Sequence, residues 1–286
     1  MQKYFVPLYE FSGLENDSFE FSSCPFSIKR FNCNLDLAKA MSLSIVDRVH
    51  IQEAEWALLV NSESYASVNQ SKLIGSVQND LNLLILVFRF LRLGPWPFIE
   101  HLIPQNLGEE PIVFYDTMQR NSHEGTKTGT YDKEKLLGID SAYGILKKAD
   151  SERKYARAHN AIYFAYLATH TIHWIQSFVF WMSALEALFS KDSRGGATST
   201  IKRRVSAYIG DANIATEDNV EMIYDIRSRI VHGDIRASQN TPDKNLQTLW
   251  MIETIACACF SKLIVSGEFS HYANKTDRNL FVQKFD

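Results

Sequence analysis

The stretch that decides the fold of this chain is YDIRSRIVHGD, Tyr224–Asp234, which closes an amphipathic segment in its second half. Apolar residues recur at helical spacing through this segment, among them Ile223 and Ile230, and they share one face. Gly233 supplies the left-handed residue that commonly ends a helix, so we expect His232 at the last helical position. The segment therefore predicts a helix that packs through its apolar stripe and has a defined C-terminal end.

The polar side of this predicted helix carries a titratable side chain. His232 lies roughly opposite the apolar stripe at about 100° per residue, which argues against a core histidine. Asp225 and Ser228 lie near it on the same side. Arg227 and Arg229 border the apolar face. An ideal helix sets Arg227 and His232 about 140° apart, so they converge only through the long Arg arm or by unwinding of the helix end.

Two interpretations of Arg227 and His232 are open from the residues alone. A guanidinium that binds phosphate and an imidazole that transfers protons suffice for metal-free cleavage of RNA. Alternatively, His232 caps carbonyl groups at a helix end and Arg227 is an ordinary surface residue.

The R-x4-H spacing followed by Gly, after a Tyr and an apolar helix, resembles the R-x4-6-H motif of HEPN domains. The sequence RSRIVHG is most similar to the ApeA-like branch of that superfamily. Three further segments stand in the expected order: WMSALEALF at Trp181–Phe189, IKRRVSAYIG from Ile201, and an apolar helix around Leu246–Ile264. The resemblance covers roughly the last 120 residues, judged by motif order along the helices.

The resemblance implies an antiparallel helical bundle that dimerises through the motif helix and cleaves RNA without metal or cofactor. His232 is then the general acid or base, and Arg227 stabilises the charge that develops on the phosphorane. The substrate is single-stranded RNA or tRNA, and the products carry 2′,3′-cyclic phosphate and 5′-hydroxyl ends. The branch further implies a role in phage defence or as a growth-arresting toxin, with a neutralising or activating partner.

Two other function classes are open. A HEPN module that lacks catalysis serves as an adaptor for dimerisation or RNA binding, and retention of Arg227 and His232 favours the enzyme over it. If the resemblance fails, the chain is a helical interaction protein.

Glu186 is the one charged residue of the apolar run 175–189, and a buried carboxylate needs a partner. Arg227 or His232, in the same or the opposite subunit, is one choice. A structural ion pair with either arginine of Arg203–Arg204 is the other.

A short basic run on the preceding helix comprises Lys202, Arg203 and Arg204, and together with Arg229 it is a candidate contact for RNA phosphates. The ordinary alternative for such a run is a solvated helix face. The net charge of −3 carries no global signature of a nucleic-acid binder, so any RNA contact must be local.

Composition divides the 286 residues near NSHEGTKTGTYD, residues 121–132, and six of the seven prolines lie at or before Pro111. We therefore predict a mainly α protein, with an N-terminal α+β region over 1–125 and an all-α domain over 133–275. The predicted helices are Leu73–Leu93, Lys133–Lys148, Arg153–Thr169, Ile172–Ser190, Thr198–Ile209, Glu217–Val231 and Lys244–Val265. Short strands are predicted within Tyr4–Phe31 and at Trp56–Val60.

Four cysteines without a CxxC pair predict reduced thiols and a cytoplasmic protein, and no signal-peptide pattern stands at the N terminus. The apolar stretch Ala161–Phe189 is interrupted by polar residues, which favours two successive buried helices over a membrane span. His170 and His173 stand three apart without a matching carboxylate, so we expect aromatic packing and hydrogen bonding from them, and no metal site.

Overall fold

The computed structural model describes residues 4–8, 11–31, 53–91, 101–104, 112–113, 129–171, 173–190, 197–210, 216–235 and 242–286. The chain divides into two compact units. Unit 1 holds the described residues of Met1–Phe88, Arg92–Asp116 and Ser122–Gly144, and unit 2 holds those of Arg89–Leu91, Thr117–Asn121 and Ile145–Asp286.

Unit 1 is built on short strands that begin near the N terminus. They are β1 (Tyr4–Leu8), β2 (Phe11–Ser12), β3 (Ser18–Glu20), β4 (Phe26–Arg30), β5 (Trp56–Val60), β6 (His101–Pro104), β7 (Ile112–Val113) and β8 (Gly129–Thr130). Six of them form a sheet in the order β3-β4-β5-β1-β6-β7, in which each neighbouring pair is antiparallel, while β2 and β8 form a parallel pair. Leu58 at the centre stands in register with both Val6 and Ile28, and all three side chains are buried.

Among the described residues of unit 1, α1 (Gln70–Leu91) and the first part of α2 (Lys133–Ser151) are the long helices. The buried carboxylate of Asp80 on α1 accepts hydrogen bonds of 2.8 Å from the hydroxyls of Tyr65 and Tyr143. Asp140 on α2 accepts bonds from the backbone N–H groups of residues 22–24. Both buried acids are thus satisfied, as buried polar groups require, and they fix the helices against neighbouring segments.

Unit 2 is helical. Its elements are the end of α2, α3 (Ala156–Thr169), α4 (Trp174–Phe189), α5 (Ala197–Ile209), α6 (Glu217–Val231), α7 (Pro242–Val265) and α8 (Lys275–Gln283), with 3-10 turns at Arg153–Tyr155 and Glu268–Ala273. The side of α3 that faces the core carries buried alanines at 158, 161, 165 and 168, which allow a neighbouring helix to approach closely. The helix that packs against it is α4, which buries Phe178, Trp181, Leu185 and Phe189 almost completely. The centre of the unit is therefore α4.

The C-terminal segment completes unit 2 and was not predicted. Tyr208 on α5 packs between Phe281 and Phe285, with ring centroids 5.9 and 5.2 Å away. The predicted domain ended at residue 275, whereas unit 2 extends to Asp286.

A mainly α protein with an N-terminal strand region is confirmed, and the predicted helices from 133 onward are present with ends within three residues of those expected. The two helices expected within Ala161–Phe189 are α3 and α4. Strands β6, β7 and β8 were missed. Leu93, Cys33, Ile172 and residues 121–128 lie outside the described part of the chain.

Two helices, Ser71–Leu91 and Gln247–Val265, are long and apolar enough to cross a membrane. More than half of each is buried inside the protein, and core helices of soluble proteins pass the same test of length and composition.

Candidate functional site

The C-terminal end of α6 is closed by two backbone hydrogen bonds. The N–H of Asp234 donates to the carbonyl of Arg229 (2.8 Å), and the N–H of Gly233 donates to that of Ile230 (3.2 Å). Gly233 has a φ of 83°, so the two bonds and the left-handed residue together form a Schellman motif. This confirms the predicted helix end, and His232 follows the last helical residue with φ −81° and ψ −4°.

The side chain of His232 is exposed, and within the described ranges it has neither a hydrogen bond nor an ion pair. The helix is regular through Val231. Unwinding of the helix end therefore does not bring His232 toward Arg227, and the long Arg arm is the remaining route within one chain.

Arg227 instead contacts α4. Its Nη2 lies 3.2 Å from Oε1 of Glu186, and the two side chains are 36% and 32% exposed. An ion pair this accessible adds at most about 1 kcal/mol to folding, so its main effect is to fix the direction of the guanidinium. Of the two partner choices for Glu186, the structure selects Arg227. Arg203 and Arg204 contact Asp286 instead.

The environment of Glu186 favours its protonated form. Burial raises the pKa of this carboxyl, and the nearby Arg227 guanidinium offsets the shift only in part. Burial and the Arg227 guanidinium therefore shift the pKa of this carboxyl in opposite directions, and burial has the larger effect.

Tyr224 is a third member of the site, which sequence reasoning missed. Its side chain is buried, and its hydroxyl has no hydrogen-bond partner among the described residues. Burial raises the pKa of this phenol most, the Glu186 charge raises it further, and Arg227 lowers it. Tyr224, Glu186 and Arg227 thus form one electrostatic cluster, which we call the Glu186 cluster. The available signal was the three-residue spacing from Tyr224 to Arg227, which places both on adjacent turns of one face.

The remaining predicted residues of α6 lie on its solvent side. Asp225, Ser228 and Arg229 are all exposed, as is His232. The structure thus separates the predicted site into two groups: the Glu186 cluster between α4 and α6, and a polar exposed face of α6.

The three residues of the predicted basic run on α5 differ in their exposure and in their contacts. Lys202 pairs with Glu221 on α6, Nζ to Oε2 2.6 Å. Arg203 is 58% exposed. Arg204 is only 3% exposed; its Nε lies 2.5 Å from Oδ1 of Asp286, and its Nη1 donates to the carbonyl of Phe189 (2.8 Å). Arg204 is therefore held in a structural contact that leaves it unable to reach a substrate phosphate.

His170 has the packing role that was expected. Its ring centroid lies 4.0 Å from that of Tyr166, its Nδ1 lies 2.8 Å from the Tyr166 carbonyl oxygen, and burial lowers its pKa. His173 is exposed at the N-cap of α4. In the described portion of the chain, no three His, Cys, Asp or Glu side chains are grouped so that they could hold a metal ion.

No protein-family model matches this chain, and no curated protein or solved structure matches it either. Interpretation of the site therefore rests on its own residues. Chemically, they offer a guanidinium of fixed direction that is open to an anion, and an exposed imidazole five residues later on the same helix.

Proposed function

We propose that this protein is a metal-independent endoribonuclease of the HEPN type, with Arg227 and His232 as its catalytic residues. The observation that carries the proposal is the position of Arg227. Glu186 holds its side chain, partly exposed, near the C-terminal end of α6, the helix with the R-x4-H motif. A guanidinium directed by a carboxylate is ready to exchange that carboxylate for a phosphate, since both offer paired anionic oxygens.

The proposed reaction needs no water and no metal. The ribose 2′-oxygen attacks phosphorus, the bond from phosphorus to the 5′-oxygen breaks, and a 2′,3′-cyclic phosphate forms. His232 takes the proton from the 2′-hydroxyl or delivers one to the leaving 5′-oxygen, and Arg227 stabilises the charge on the non-bridging oxygens. DNA is spared because it lacks the attacking hydroxyl.

We propose a homodimer in which α6 faces its copy. On a regular helix Arg227 and His232 of one chain point about 140° apart, so the two side chains meet more readily across a two-fold axis than within one subunit. The exposed face of α6 also presents Asp225 and Arg229, four residues apart and opposite in charge. Antiparallel pairing of two such helices sets each aspartate near the partner copy's arginine.

The biological setting that we propose is cytoplasmic defence against phage or growth arrest, with a neutralising or activating partner. Unit 1 would then sense the signal or restrain the nuclease. Support for this setting comes from the resemblance of the motif helix alone.

The test incubates purified protein with a pool of single-stranded RNA and tRNA in the presence of EDTA. The wild type is expected to cleave, His232→Ala is expected to lose cleavage, and Ser266→Ala, at an exposed position far along the chain, is expected to retain it. Absence of cleavage by the wild type, together with an intact dimer and retained RNA binding, would favour the adaptor function instead.

A further inference from the structure

Four aromatic rings line one face of α3. His159, Tyr163, Tyr166 and His170 follow one another at intervals of four, three and four residues, which places them on the same side of a helix. The centroids of successive rings lie 6.5, 6.4 and 4.0 Å apart, and the planes of His159 and Tyr163 are within 4° of parallel. Tyr163, near the middle, is 51% exposed. We call these four residues the α3 ridge.

His170, at the end of the α3 ridge, packs on Tyr166, but core packing does not account for the exposed ring of Tyr163. The core side of α3 is formed by small residues, with Ala158, Ala161, Ala165 and Ala168 buried. The four rings run along another flank over about 16 Å of helix, at 1.5 Å per residue. A single exposed tyrosine is ordinary on a protein surface, but a continuous row of rings offers several flat faces to one ligand.

The charge around the start of the α3 ridge is positive, although the whole chain carries −3. Residues 147–157 include five basic and two acidic side chains, and the sequence from 153 to 185 contains no acidic residue at all. Both acids are paired: Asp150 with His159 (3.0 Å) and Glu152 with Lys154 (2.8 Å).

The basic residues lie next to the first ring. Nδ1 of His159 lies 3.0 Å from both the carbonyl oxygen and Oδ1 of Asp150, which is in the last turn of α2. This contact joins the start of α3 to the last turn of α2, which also carries the exposed Lys148. Arg153, also exposed, lies in the 3-10 turn between the two helices. Exposed cationic side chains therefore lie on the two segments that meet at the first ring, the last turn of α2 and the 3-10 turn before α3.

We propose that the α3 ridge binds single-stranded RNA, with bases stacked on its rings and phosphates held by Lys148 and Arg153. Flat apolar faces beside cations match unpaired bases on a phosphate backbone, and this combination is how proteins bind single strands without sequence preference. The choice of RNA over other single strands rests on the proposed ribonuclease function.

The experiment measures the Kd of a short fluorescent oligoadenylate by anisotropy, with the full chain carrying His232→Ala so that the strand stays intact. Adding Tyr163→Ala is expected to raise Kd about tenfold to a hundredfold, because stacking on that ring is lost. Tyr163→Phe keeps the ring and is expected to bind within about twofold of the parent. Trp250→Ala, which removes an exposed aromatic side chain on α7, is the matched control and is expected to leave Kd unchanged.

A second measurement separates the phosphate contact from stacking. Arg153→Gln is expected to reduce the slope of log K against log salt by about 0.7, the effect of one phosphate contact on a single strand. Tyr163→Ala is expected to leave that slope unchanged.

An unchanged Kd for Tyr163→Ala, or no binding of the oligoadenylate at all, overturns the proposal. A change in sedimentation of Tyr163→Ala with unchanged RNA affinity also overturns it, because the α3 ridge would then be a protein contact. Cleavage of RNA by the wild-type protein is followed separately. If the wild type cleaves RNA and Tyr163→Ala binds it as the parent does, the RNA site on the α3 ridge is rejected and the nuclease proposal stands. If the wild type does not cleave but Tyr163→Ala binds more weakly, the α3 ridge stands and the nuclease proposal is rejected.

Discussion

Nη2 of Arg227 and Oε1 of Glu186 lie 3.2 Å apart, and this contact joins the motif helix α6 to the central helix α4. The pair is partly exposed, and burial of Glu186 works against full ionisation of the acid. Arg227 is thus held toward α4 by a contact that solvent can reach.

Replacement of Arg227 by Lys is expected to lower kcat for RNA cleavage by about 10² to 10³, because an ammonium cannot present the planar donor fork to two phosphate oxygens. The measurement is single-turnover cleavage with EDTA. Arg30→Lys, at an exposed arginine of β4, is the matched control and should leave the rate unchanged. A wild-type rate for Arg227→Lys would remove Arg227 from the catalytic residues.

Glu186→Gln is expected to change how stability depends on pH. The folded-state pKa of Glu186 is raised above its ordinary value of about 4.5, so its protonated form is favoured in the native state. Its stabilising contribution is fully present below that ordinary pKa and is lost as pH rises through the raised pKa. Wild type should therefore lose stability relative to Glu186→Gln as the pH rises above about 4.5.

Thermal unfolding midpoints of the two proteins across this pH range provide the measurement. A relative gain of the wild type with rising pH would show that attraction to Arg227 outweighs burial at Glu186.

Tyr224→Phe is expected to be neutral or to stabilise the fold by about 1 kcal/mol, since it removes a buried hydroxyl that has no partner among the described residues. Tyr272→Phe is the matched control. The hydroxyl of Tyr272 is also buried but donates to the carbonyl of Leu188 (2.9 Å), so its removal should cost about 1 kcal/mol. Urea denaturation compares the two. A clear loss of stability for Tyr224→Phe would indicate that its hydroxyl has a partner after all.

Arg204→Ala is expected to destabilise the protein by about 2 to 3 kcal/mol, because it leaves the Phe189 carbonyl and Asp286 without their buried donor. Arg203→Ala, one residue earlier and mostly exposed, is expected to stay within about 0.5 kcal/mol of wild type. Denaturation midpoints test both. Equal midpoints for the two variants would contradict the structural role of Arg204.

Gly233→Ala is expected to cost about 1 kcal/mol, since a φ of 83° is unfavourable for a residue with a Cβ. No atom lies within 4 Å of the added Cβ, so the cost is conformational and not steric. Gly75→Ala, inside α1 and equally open, is the control and should be neutral or stabilising. Calorimetry of both variants measures the two changes in stability.

Local signals explain which parts of the fold were predictable. The bounds of α6 follow from residues at its two ends: the Thr216 hydroxyl accepts from the N–H of Asn219, and Gly233 supplies the left-handed stop. By contrast, α8 is short and polar, and its place depends on Phe281 packing against Tyr208, more than 70 residues earlier. The Asn274 cap that accepts from Asp277 was the one local sign of it. Strands β6 to β8 are two to four residues long and depend on distant pairing.

The sequence identified Glu186 and Arg227 as candidate site residues, but it did not show which residues contact each other, and it missed Tyr224. Periodicity indicated that Glu186 needed a partner, yet which arginine it meets depends on how α4, α5 and α6 pack. Tyr224 was given no role in the site, because periodicity alone does not distinguish a buried tyrosine from any other large side chain, and only its buried hydroxyl reveals its place beside Glu186 and Arg227.

The most direct test of the central claim is the chemistry of the cleaved ends. A defined RNA is digested by the wild-type protein in EDTA, alongside the same RNA carrying a 2′-deoxyribose at the cleaved position. The account predicts 2′,3′-cyclic phosphate and 5′-hydroxyl ends from the first RNA, and no cleavage at the modified position of the second. Ends with a 5′-phosphate, or equal cleavage of both RNAs, would contradict it.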